Sequence, residues 1–244
     1  MINAIHAEWI KLRTTRAPIA IATSACVLAA LIAVAQLFPG AQTGQDPATA
    51  GTQRNIFSAG GQIANILVLV VSTLVVTGEY RFGTIASTFL AEPRRLRVVS
   101  AKVVAAATAG TVLAVAAGSV ALAAAGAGLR LKGDAIVLSW REVAGLVAWP
   151  IAQAPGWALL GVAGGLIVRN QVGALVGLFV WSLVGESLIS AVVPAVADYL
   201  PVAALGAIGV RDSISTWASA GIALGWLAGL IAAGALLTVS RDIN

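Results

Sequence analysis

The sequence predicts an all-α membrane protein with six transmembrane helices, and three observations lead there. Charged residues are only 10% of the 244 and apolar residues 59%, whereas a soluble domain carries about a quarter charged residues. The charges are segregated: none falls between Ala17 and Gln45, Asn55 and Gly78, Val103 and Leu129, Val143 and Val168, or Ser213 and Ser240, and Asn170 to Ala197 holds one, Glu186. Each stretch reaches the roughly 20 residues that cross a hydrocarbon core as a helix. The runs are continuous rather than alternating, which excludes barrel strands.

The leader, residues 1–16, places Ile2, Ile5, Trp9 and Leu12 on one helical face at three- and four-residue spacing. Glu8, Lys11 and Arg13 fall largely elsewhere around it. This predicts a helix in the membrane interface, with Trp9 at headgroup depth and the basic residues near anionic lipid. Ala33-Val34-Ala35 resembles a signal-peptidase site. The apolar run continues to Phe38 after a long leader containing Glu8, so an uncleaved first span, Pro18–Phe38, is expected. The segment Pro39–Arg54, rich in Gly, Gln and Thr, reads as an external loop.

The remaining spans are Ile56–Thr77, Ala101–Gly126, Val143–Val168, Gln171–Val193 and Trp217–Val239. An even number puts both termini on one side. That side holds Lys11, Arg13, Arg16, Arg81, Arg94, Arg95, Arg97, Lys102, Arg169 and Arg241; the other holds Arg54, Arg130, Lys132, Arg141 and Arg211. The excess predicts cytoplasmic termini in a bacterial-type plasma membrane. Three of the five opposing basic residues lie in Leu129–Glu142, against the trend. Pro150 and Pro155 should kink the fourth span. Arg169-Asn170-Gln171 should close a tight hairpin into the fifth. Gly161 and Gly165, Gly173 and Gly177, and Gly221, Gly225 and Gly229 recur at the spacing that lets helices approach closely. Residues 194–216 combine apolar character with Pro194, Pro201, Gly206 and Gly209, which predicts a re-entrant segment.

The connection between the second and third spans is longer than a hairpin needs. Gly83 and Pro93 bracket a short helix for which Ile85, Phe89 and Leu90 supply an apolar face, and a basic cluster and Lys102 follow. Such a helix suits docking on a cytoplasmic partner. Glu79-Tyr80-Arg81-x-Gly83-Thr84, then Pro93-Arg94-Arg95 and Ala101-Lys102, resembles the signature of the type-2 ABC exporter permease family. Glu8-Trp9-x-Lys11-Leu12-Arg13 resembles that family's amino-terminal helix. With length and span count, the resemblance covers the whole chain, 1–244, as one permease domain.

The resemblance implies a translocation path formed by two permease subunits, identical or unlike, driven by a separate ATPase that binds the ATP and Mg²⁺. It implies a coupling helix within residues 79–98. Glu79, Tyr80, Arg81, Gly83 and Thr84 would begin it, and Pro93, Arg94, Arg95 and Arg97 would end it. Glu79 and Arg81 would pair with each other or with the ATPase. Arg94, Arg95 and Arg97 would touch either the partner or lipid headgroups.

Within the spans, Glu186 either lines the path, braces the re-entrant segment, or sits hydrated near the outer interface. Gln62 and Asn65, one turn apart, face a polar path or a subunit interface, or make interhelical hydrogen bonds. No phosphate loop, G-x-S-x-G or H-E-x-x-H is present, so no ATPase site, catalytic residue, resident cofactor or metal is expected. His6 reads as a solvated helix residue and Cys26 as a small apolar one. The net charge of +5 is spread over short loops rather than a stripe interleaved with aromatics, so nucleic acid is not an expected partner. A stand-alone secondary transporter or channel is the alternative, but it calls for more intramembrane charge or paired broken helices. An intramembrane enzyme would need a partner for Glu186.

Overall fold

The computed structural model describes residues 2–14, 16–38, 46–210 and 214–240, with no strand among them. Of the sequence expectations, Pro39 to Gln45, Arg211 to Ser213 and Arg241 lie outside the described residues. So do the side chains of Ile2 and Arg16. The loop expected to reach Arg54 is shorter than that, because a helix already begins at Ala50, capped by the Thr49 side chain.

The helices are α1 (Ile2–Thr14), α2 (Arg16–Ala35), α3 (Ala50–Arg81), α4 (Ile85–Ala91), α5 (Arg95–Lys132), α6 (Trp140–Val168), α7 (Gln171–Val180), α8 (Glu186–Val192), α9 (Pro201–Ala207) and α10 (Thr216–Ser240). A π turn, Trp181–Gly185, joins α7 to α8, and a 3₁₀ turn, Pro194–Tyr199, precedes α9. Five helices are long and apolar enough to cross a membrane: α3, α5, α6, the continuous α7–α8 unit, and α10. The pair α1 and α2, bent by 66°, raises the number to six if taken as one span.

α3 and α5 run well past the spans the charge pattern marks out. At 1.5 Å per residue, their 32 and 38 residues extend about 48 and 57 Å, against about 30 Å of hydrocarbon. Helix propagation continues through charged sequence until a stop residue intervenes. Phe82 and Gly83, the latter at φ +68°, end α3. Gly133 at φ +80° ends α5 in a left-handed cap, with the Gly133 and Asp134 amides donating to the Arg130 and Leu129 carbonyls. Ser139 and Glu142 form a capping box that starts α6. α6 then runs unbroken through Pro150 and Pro155.

Contacts between helix ends establish the alternation. At one end, Arg95 donates to the Thr238 and Val239 carbonyls, Arg169 to the Leu237 carbonyl, and Arg81 to Gln171. At the other, Lys132 donates to the Leu37 carbonyl, Gln53 to the Pro47 and Ala135 carbonyls, and Arg54 pairs with Glu142. Of the basic residues of Leu129–Glu142, Lys132 has local work: it caps a helix end and lies over the Phe38 ring.

The core is built of alanine and glycine as much as of large side chains. α3 lies at its centre, against α2, α5 and α6. Gly161 and Gly165 of α6 face α3 rather than the hairpin partner α7. A Cβ at Gly161 would stand 2.5 Å from the Leu69 carbonyl oxygen, and one at Gly165 would stand 2.9 Å from Val76 Cβ. Gly177, Gly221, Gly225 and Gly229 meet nothing within 4 Å. Gly161→Ala is therefore expected to lower the unfolding midpoint of the purified protein, by the equivalent of about 1–3 kcal/mol. Gly177→Ala should leave it unchanged or slightly higher. Equal midpoints for the two variants would show that α3 and α6 are not held at this separation.

Candidate functional site

α1 and α4 lie at the end of the bundle where α5 begins, and a ring of four charges sits there between α1, α3 and α5, with Glu8, Glu79 and Lys102 buried and Lys11 part-exposed. Lys102, on α5, is 2% exposed. Its Nζ donates to Glu79 Oε1 at 2.8 Å and to Glu8 Oε2 at 3.1 Å. Lys11 donates to the same Glu79 Oε1 at 2.7 Å and to Glu8 Oε1 at 2.8 Å. Signs alternate around the ring, so two carboxylates and two ammonium groups compensate one another in a place where an unpaired charge costs several kcal/mol. Burial works against the charge on Lys11, yet hydrogen bonds to Glu79 and Glu8 and their negative charges prevail and hold its ammonium group above the ordinary lysine value.

α4 touches this ring and a second anchor. Thr88 Oγ1 lies 3.4 Å from Lys11 Nζ, and its hydroxyl donates to the Thr84 carbonyl at 3.2 Å, with Glu79 Oε2 at 3.5 Å. Phe89 lies under the Arg95 guanidinium, 5.3 Å from ring centroid to charge, and Arg95 binds the last carbonyls of α10. These carbonyls carry the negative end of the helix dipole. Ile85 is buried. α4 thus bears on α1 and α3 through Thr88, and on α5 through Phe89, whose partner Arg95 in turn binds the end of α10.

Several sequence expectations change here. Glu8 points into the bundle rather than around the polar side of α1, because Lys102 draws it in; Trp9 is half-buried and Arg13 exposed. Glu79 does not pair with Arg81 and is not open to a partner: both lysines occupy it, while Arg81 binds Gln171 at 3.0 Å and lies over Phe82. The inward face of α4 is Ile85, Thr88 and Phe89; Leu90 is 84% exposed and points away. Arg95 is committed to α10, and Arg97 faces Glu92 at 3.6 Å. Tyr80 stacks with Arg169. Gly83, Thr84, Pro93 and Arg94 remain exposed.

At the opposite end Glu186, 5% exposed, accepts from the Val202 and Ala203 amides at 2.7 and 2.8 Å and from Trp181 Nε1 at 2.9 Å. It joins the π turn to the first turn of α9 and is not a hydrated interfacial carboxyl. Asn65 is buried and donates to Gln153 Oε1 at 3.3 Å, and Gln153 donates to the Ile208 carbonyl at 2.9 Å. Gln62, one turn earlier, is exposed.

Sequence reading missed Gln153 and Thr88 and gave Lys102 no partner. The available signal was charge parity: Glu8 and Glu79 are acids beside apolar runs, and each requires a cation once buried. Compared with known proteins, the chain matches no family model and no curated protein.

Proposed function

We propose that this chain is the transmembrane permease subunit of an ATP-binding-cassette exporter. It forms the translocation path with a second permease copy or relative, and takes force from a separate ATPase subunit. In this reading six spans cross the plasma membrane with both termini cytoplasmic. α1 lies along the cytoplasmic interface, α4 is the coupling helix, and residues 194–216 re-enter from the outside. ATP and Mg²⁺ belong to the ATPase.

The observation that carries the proposal is the two-sidedness of α4. Its outer side presents Leu90, with Phe82 74% exposed beside it and Arg81 and Arg94 exposed at its two ends. Its inner side meets Lys11 of α1 and Glu79 of α3 through Thr88 and Arg95 of α5 through Phe89, and Arg95 carries the link on to α10. A partner that pushes the outer side moves α1, α3, α5 and α10 together, because a buried ion ring and a cation–π contact resist independent displacement.

The test begins with co-expression alongside an ATPase encoded beside this chain, and purification as a complex. A cysteine placed at Leu90 should cross-link to the ATPase. Arg81→Glu should leave the protein inserted and lower the permease-dependent ATPase rate of the reconstituted complex several-fold. Labelling of the same cysteine by a membrane-impermeant thiol reagent in intact cells would put α4 outside and end the proposal.

A further inference from the structure

We propose that a cavity formed within a single chain, between α3, α6, the π turn and α9, is a binding site for an uncharged, mostly apolar small molecule with a hydrogen-bonding group. The cavity measures about 400 Å³ and is partly open. That is within the roughly 300–1,000 Å³ typical of small-molecule sites.

The walls specify the ligand class. The rings of Trp157 and Phe179 and aliphatic side chains supply most of the lining, and among the described residues no charged side chain contributes. An ion placed there would lose its hydration with nothing to replace it. Polar atoms come from Gln62 on α3 and Ser182 in the π turn. The Gln62 amide makes no hydrogen bond to the other described residues, so it is available to orient a carbonyl or hydroxyl.

The walls are also held in place. The π turn sets Ser182 against the cavity, and such turns concentrate at functional sites. Glu186 bonds at once to Trp181 in that turn and to the amides of Val202 and Ala203, two residues of the opposing wall. Gly206 completes that wall, and a Cβ there meets nothing within 4 Å. The space is maintained by a carboxylate clamp, as a preformed site requires.

The test uses benzophenone, an uncharged photoreactive molecule with one carbonyl acceptor, on the full chain in phosphatidylcholine nanodiscs. Because it needs no ATPase, its outcome is separate from that of the exporter reading. Saturable adducts are expected on the Phe179–Leu183 and Val202–Gly206 stretches. Gly206→Trp, which fills the cavity, should lower them about tenfold, and Gln62→Ala should weaken saturation. Gly177→Trp, directed into open space, should leave them unchanged. Where Gly206→Trp does not fold, Gln62→Trp fills the cavity from the exposed wall with the same expected loss.

Adducts that rise linearly with concentration and spread over α7 and α10 would overturn the proposal. So would adducts indifferent to both tryptophan variants. Labelling of the cavity by a photoreactive phosphatidylcholine acyl chain that benzophenone does not displace would assign it to lipid and overturn the proposal as well.

Discussion

Lys102→Met is expected to destabilise the folded protein by about 3–5 kcal/mol, the usual cost of stranding one side of a buried ion pair. The methionine fits the space left by the lysine stem, so little packing is lost. What remains is two carboxylates, Glu8 and Glu79, 4% and 9% exposed, facing one ammonium group, Lys11, that is 43% exposed. One negative charge is then uncompensated in low dielectric. The second variant, Lys102→Met with Glu79→Gln, restores neutrality around Glu8 and Lys11 and should recover most of the loss. Unfolding midpoints of both variants in nanodiscs measure this. A single variant as stable as the parent, or a double variant no better than the single, would show that the ring is not the support inferred for it. If α4 is the coupling helix, the single variant should also lose permease-dependent ATPase stimulation, because Thr88 then bears on a disordered ring.

The second large effect is local. Glu186→Ala removes the acceptor for two backbone amides and an indole N–H, each costing about 1–3 kcal/mol when left unpaired in a buried place. α9 has only seven residues, too few to hold itself as an isolated helix. Its first-turn amides, at the positive end of the helix dipole, are held by this carboxylate. The region is therefore expected to open without unfolding the α3–α6 core. Amide hydrogen exchange should accelerate about a hundredfold or more at Val202 and Ala203, as expected from a local loss near 3 kcal/mol. Val68 and Val162 in the core should keep their protection. Glu186→Gln should fall between, since one oxygen still accepts while the amide nitrogen confronts a donor. Unchanged exchange at Val202 in the alanine variant would mean that α9 is held by its apolar contacts to α6 and α10 alone.

The helices were legible because their signal is additive along the chain. An apolar run and a Gly stop at Gly83 act on neighbouring residues. The Gly133 stop and the capping box of Ser139 and Glu142 are equally local but went unread, so the ends of α5 and α6 were set too short. The short helix between Gly83 and Pro93 was legible on the same ground, but its orientation was not. Ile85, Phe89 and Leu90 are all apolar, and only contact with Arg95 and the bundle separates Phe89, which faces inward, from Leu90, which does not. Glu79 and Arg81 are adjacent enough to pair in sequence terms. Both instead chose partners from distant segments, Lys102 and Gln171, because those partners lie at the same depth.

The chain's sequence by itself determined the solvent, the all-helical class and the positions of the apolar segments. Those follow from transfer free energies and backbone hydrogen bonding, which depend on composition over a window of residues. The tertiary structure alone decided which charges became partners, which glycines of the several spaced pairs became contacts, and where a cavity was left. Glu8, Glu79 and Lys102 stand 71 and 23 residues apart, and nothing local fixes their meeting. It is the packing of α1, α3 and α5 that brings them within hydrogen-bonding distance, and the cost of an unpaired buried charge that makes them pair.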